Sequence, residues 1–113
     1  MSKKEEKIAQ YQKAAADLKL DIDKGLIAKV TDGLGPSIYN RDAETVSCSD
    51  SSELQRVREN FLKKKLGLEE DDKILDEAIK EVCETLGSSN RNKYRALFYA
   101  LLVKKFGKEA LYA

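Results

Sequence analysis

The sequence has no histidine and no tryptophan, a single proline and only two cysteines. Without histidine the commonest general base near neutral pH is missing, and the serine and cysteine triads go with it. Two cysteines with no histidine also fall short of the usual tetrahedral zinc set. No catalytic residue, metal site or cofactor is therefore expected. A small acid–base enzyme built on Tyr, Asp or Lys is the poorest reading, because no nucleophile and base can be paired from sequence.

Long apolar runs are missing too. No uncharged stretch is longer than Ala96 to Val103, far short of the roughly 20 residues that a bilayer-spanning helix needs. The opening Met-Ser-Lys-Lys-Glu-Glu-Lys lacks the apolar segment of a secretory signal. Cys48 and Cys83 lie far apart with no partner pattern, so both are expected to stay thiols in a reducing, cytoplasmic setting. Cys83 follows Ile79 by one helical turn and reads as a buried structural thiol. Cys48, between Ser47 and Ser49 with Asp50 beyond, has no adjacent cation to lower its pKa and reads as unreactive.

The remaining composition describes one globular domain. The chain has 113 residues, 21 Lys plus Arg, 20 Asp plus Glu and a net charge of +1, with 42% hydrophobic and 36% charged residues. That mixture is too apolar for disorder. Residues 1–113 read as a single helical domain, with residues 1–20 a peripheral or projecting helix. Alternating strand patterns are missing and spacings of three and four recur, so the fold class is all-α: four to five helices in a small bundle.

Ser2 and Glu5 stand in capping-box spacing before Ile8, Tyr11, Ala15 and Leu18. A second helix begins after Asp21 or Asp23, carries Leu26, Ile27 and Val30, and stops at Gly33-Leu34-Gly35-Pro36. This turn lacks the third glycine and the Lys-Ser/Thr of a phosphate loop and reads as a helix stop. Residues 37–49 read as a loop or short helical turn pinned by Ile38, Tyr39 and Val46. Gly67, Gly87 and Gly107 recur as stop signals after Leu66, Leu86 and Phe106. The helices between them start near Asp50, capped with Glu53 at N3, near Asp71 or Asp72, and near Ser89 or Asn90. The last, at about 90–106, is apolar nearly all round and should lie at the centre of the core. Tyr39, Tyr94 and Tyr99 read as core aromatics.

Charge is unevenly placed. Residues 91–113 carry six basic side chains and one acidic, a net of +5, against −1 over 1–50 and −3 over 51–90. Lys104, Lys105 and Lys108, like Lys63, Lys64 and Lys65, sit where a helix C-terminus favours cations. Arg91, Lys93 and Arg95 instead crowd the expected N-terminal turns of the last helix, the positive end of its dipole. With Asn90 and Asn92 they form a candidate site for a phosphate or carboxylate group. The alternative is that the arginines fold against the acidic start of the helix near Asp71 or Asp72, or against the carbonyl ends of neighbouring helices. A rival use is nucleic-acid binding, since Gly87-Ser88-Ser89 has helix-turn-helix length. The pI near 7.7 and the apolar last helix weigh against it. A protein partner or self-association is a further expectation for this surface.

Gly-Leu-Gly-Pro-Ser-Ile-Tyr-Asn at 33–40, and Ser-Ser-Asn-Arg-Asn-Lys-Tyr-Arg-Ala-Leu-Phe-Tyr at 88–99 with Phe106-Gly107-Lys108, occur together along this chain. In that pattern the sequence resembles the short bacterial proteins of domain-of-unknown-function family 2853, over nearly its whole length. The resemblance implies a bacterial, stand-alone protein and assigns no activity and no functional residue.

Overall fold

The computed structural model describes residues 2–87, 89–90 and 92–112. It is all-α, with α1 Lys3–Asp17, α2 Lys24–Leu34, α3 Arg41–Glu44, α4 Ser51–Arg56, α5 Asp72–Leu86 and α6 Arg95–Lys105. A 3-10 turn, Gly35–Tyr39, links α2 to α3, and a π-helix, Val57–Lys65, continues α4.

The caps follow the sequence. The Ser2 side chain accepts from the Glu5 amide at 3.1 Å, Asp23 from the Leu26 amide at 3.1 Å, and Asp50 from the Ser52 amide at 3.0 Å. Each satisfies a helix-start N–H that has no partner inside its own helix. Gly67 and Gly107 stop their helices in the left-handed region, at φ 69° and 64°, where a side chain would meet its own backbone. Glu53 departs from expectation. It does not reach back to complete a capping box but turns inward to Arg95 and sideways to Arg56.

The π-winding after Arg56 was not foreseen. Val57, Phe61, Leu62 and Leu66 are buried there, and the Leu66 amide donates to the Phe61 carbonyl five residues back at 2.9 Å. Buried positions four to five apart share a face when the chain winds i→i+5. Phe61 then stacks on Tyr99 of α6 with ring centroids 3.8 Å apart.

α6 occupies the centre, packed against α1, α2, α3 and α5. Its Ala96, Leu97, Phe98, Ala100, Leu102 and Val103 are all buried. It starts later than its apolar pattern predicts: Asn90, Asn92 and Lys93 precede the helix, whose first residue is Arg95. Lys93 and Tyr94 instead run beside residues 45–46. Thr45 pairs with Tyr94 in an isolated antiparallel bridge, and the Val46 amide donates to the Lys93 carbonyl at 2.9 Å. That pairing takes up backbone groups which a helical turn would otherwise use.

α1 lies on α2 and α6, with Tyr11 and Ala15 buried. Of the three tyrosines read as core, Tyr94 and Tyr99 are half-buried against it, whereas Tyr39 is 49% exposed. No described helix is long and apolar enough to cross a membrane.

The expectation of two free thiols is overturned. Cys48, in the loop before α4, and Cys83, on α5, form a disulfide with Cα atoms 6.1 Å apart. The fold brings together two residues that nothing in their sequence surroundings pairs.

Candidate functional site

Of the cations in the 90–95 segment, the two that the structure describes, Lys93 and Arg95, have different surroundings. Arg95 is folded inward, its side chain 15% exposed. Its Nε donates to the Ala43 carbonyl at 2.7 Å, Nη1 to the Tyr99 hydroxyl at 3.0 Å, and Nη2 to the Thr45 carbonyl at 3.3 Å and to the Glu53 carboxylate. Burial works against the Arg95 charge, but the Tyr99 oxygen and the Glu53 carboxylate outweigh it and hold the guanidinium above its ordinary value. Burial likewise pushes Glu53 up, and Arg95 and Arg56 more than reverse this, leaving its carboxyl below the usual carboxylate range. Arg95 is thus a clamp on the chain entering α4. It does not present a fork to solvent. Arg91 lies outside the described residues, as does Ser88 in the turn before it.

Asn90, Asn92 and Lys93 are local in their contacts. The Asn90 amide group donates to the Leu86 carbonyl at 3.0 Å, closing off the end of α5, and its Oδ1 accepts from the Asn92 backbone at 2.9 Å. Lys93 Nζ donates to the Asn90 carbonyl at 2.6 Å. An ammonium has three donors, so two of them remain for other groups.

Two open clefts flank this segment. One, of about 660 Å³, is walled by residues 45–49, by Lys80, Cys83 and Glu84 of α5, and by Asn90 and Lys93. Its charged side chains are two lysines and one glutamate, and Ser47 and Ser49 add hydroxyls. The other, of about 600 Å³, lies on the far side and is lined by Lys7, Tyr39, Arg41, Glu44, Asn92 and Tyr94 among others. It brings Tyr39, from the 33–40 turn, beside Asn92. There Glu44 is already engaged, accepting from the Tyr11 hydroxyl at 2.6 Å and from Lys7 at 2.7 Å. Burial, then the Glu44 bond, pushes the Tyr11 hydroxyl far above the ordinary tyrosine value, so it stays protonated.

The family model described as a protein of unknown function, DUF2853, matches residues 8–110 of this chain. The chain belongs to that family. No curated protein matches it.

Sequence reasoning missed Glu53 as the partner of Arg95, and it missed Lys80 and the disulfide as parts of one cleft. Lys80 left a faint signal: it is an exposed cation three residues before Cys83 on α5, a spacing that puts both on one helix face. The 45–49 wall gave none, since its position depends on the bridge to Tyr94 and on Arg95.

Proposed function

We propose that this DUF2853 protein is a non-enzymatic binding module whose anion-accepting surface is the cleft between residues 45–49, α5 and the 90–93 segment. The observation that carries the reading is the convergence of Lys80 and Lys93 on one open cleft that also holds serine hydroxyls and the Asn90 amide. Glu84 offsets only one of the two charges. A phosphate or carboxylate group suits such a lining, because charge-assisted hydrogen bonds to a lysine are stronger than neutral ones and serines add donors of adjustable direction. In this reading Asn90 and Lys93 contact the anion, Asn92 orders the turn, and Arg95 positions the 45–49 wall without touching the ligand.

Thermal unfolding with and without inorganic phosphate tests it. Phosphate should raise the wild-type Tm, as any ligand specific to the native state must, and Lys80→Ala and Lys93→Ala should each remove the increment. A wild-type Tm indifferent to phosphate removes the reading. A duplex DNA titration separates the nucleic-acid alternative, which would need the start of α6 at the surface. Ala96, Leu97 and Phe98 are buried there. Binding with a log–log salt slope near −1.8, about −0.9 for each of two lysine–phosphate contacts, would favour that alternative.

A further inference from the structure

The Cys48–Cys83 bond lies on a ridge between two open clefts. Both cysteines line the cleft described above, and both also line a second one of about 640 Å³ bounded by Leu54, Arg58, Asp76 and Ile79. Each cysteine is half-buried, and the two clefts reach the pair from opposite sides. Among the described residues, the only one besides the cysteines common to both clefts is Lys80. It stands one turn before Cys83 on α5, close enough on a helix face for its ammonium to favour a thiolate at Cys83.

The surrounding charge also suits an anionic attacker. Lys80 and Lys93 face Glu84 on one side. On the other, Lys80 and Arg58 face Asp76, whose carboxylate Arg58 holds at 3.0 Å. Disulfides are opened by thiolates, so cations at the entrance speed the approach, and the sulfur whose thiolate is better stabilised leaves faster.

We propose that Cys48–Cys83 is a reversible thiol–disulfide exchange site, opened in the native fold by a dithiol reductant whose thiolate attacks Cys48 while Cys83 leaves as the thiolate beside Lys80. The first step forms a mixed disulfide on Cys48. The reductant's second thiol then attacks its own bridging sulfur and releases Cys48. Two electrons pass to the protein, which ends with two cysteine thiols once the thiolates take up protons, and the reductant ends as its own disulfide.

The fold around the bond limits what opening it changes. The Ala43 and Thr45 carbonyls remain bonded to Arg95, Val46 stays buried with its amide on Lys93, and Asp50 keeps its cap on α4. Between those anchors, among the described residues, Ser47, Cys48 and Ser49 have only the Asp50-amide turn to the Ser47 carbonyl at 3.2 Å and a serine–serine contact at 3.4 Å. Reduction therefore frees one wall of the cleft and leaves the helices in place. This site stands whether or not an anion occupies that cleft.

The first test uses the wild-type full chain, and surface variants then test the role of Lys80. Under dithiothreitol, with thiols trapped by iodoacetamide and counted by mass, the native protein should be reduced at a rate within about tenfold of the urea-unfolded chain, as access from solvent requires. Its far-UV circular dichroism should be unchanged, and oxidised glutathione should restore the same bond. A native rate more than about tenfold below the unfolded one overturns the proposal. So does loss of helix on reduction, or the finding of two free thiols in protein purified under oxidising conditions. Brief exposure to reduced glutathione followed by acid quench and peptide mapping should place glutathione on Cys48, and finding it on Cys83 overturns the assigned direction. Lys80→Glu should slow reduction severalfold while Lys73→Glu, also exposed on α5, leaves it unchanged. Equal effects of the two overturn the role given to Lys80.

Discussion

Two of the fastenings that hold residues 43–50 to the helices differ in what undoes them. At 43–45 the hold is ionic and drawn inside: the guanidinium of Arg95 and the carboxylate of Glu53 are 15% and 12% exposed. At 48 it is covalent and lies half in solvent. The first gains strength from the exclusion of water and yields only when one of its charges is removed. The second is indifferent to charge and open to any thiol that reaches it. One end of the strap is thus permanent and the other conditional, although a few residues of backbone separate them.

The comparison is sharpest when each fastening is cut by itself. The disulfide closes a separation of 35 residues, and loop-closure entropy makes its removal worth about 4 kcal/mol. Cys48→Ser with Cys83→Ser should lower the urea-unfolding free energy by that order, with the native helical signal retained. Arg95→Ala should cost less, about 2 kcal/mol, below the 3–5 typical of a fully buried pair. The relief comes from Arg56, whose Nη2 still reaches Glu53 at 2.8 Å. If Arg95→Ala proved more damaging than the double serine variant, the ionic end would be the principal fastening and the contrast drawn above would invert.

A subtler cut titrates the ionic end. The folded carboxyl of Glu53 lies below the ordinary glutamate value of 4.5. Its contribution is present at neutral pH and down to the unfolded value, and is lost as pH falls through the lower folded value. Wild-type stability should drop over that acid window, and Glu53→Gln should show a shallower fall there while being less stable at pH 7. Parallel profiles would mean that the carboxylate is not held by Arg95. The disulfide should give no such window, since its stabilisation does not titrate.

The helices were readable because each rested on local signals. Ser2, Asp23 and Asp50 cap, Gly67 and Gly107 stop, and the apolar middle of α6 placed it in the core. What was not readable depended on residues remote in sequence. The last helix was expected to begin near Asn90 because its composition permits it; it begins at Arg95 because the chain before it pairs with Thr45 and Val46, about half the molecule away. The same pairing turns Arg95 inward, where Glu53 waits on another helix. The cysteines met no motif, since their proximity is a product of how α5 and the α4 entry pack. Their expected thiol state and the observed disulfide are the two ends of the exchange proposed above.

The smallest effect comes from a pair of cations that are near neighbours in sequence. Lys93 and Arg95 stand two residues apart across the start of α6, and charge counting treats them alike. Arg95 has bonds to four other residues, whereas Lys93 Nζ meets the Asn90 carbonyl and otherwise faces the cleft. Removing a half-exposed ammonium from a single neutral acceptor should cost under about 0.5 kcal/mol, within the range of ordinary surface changes. Lys93→Ala is therefore expected to unfold at nearly the wild-type urea midpoint while losing the response to phosphate. A drop as large as that of Arg95→Ala would make Lys93 part of the structural clamp, and the cleft would lose the cation best placed to receive a ligand.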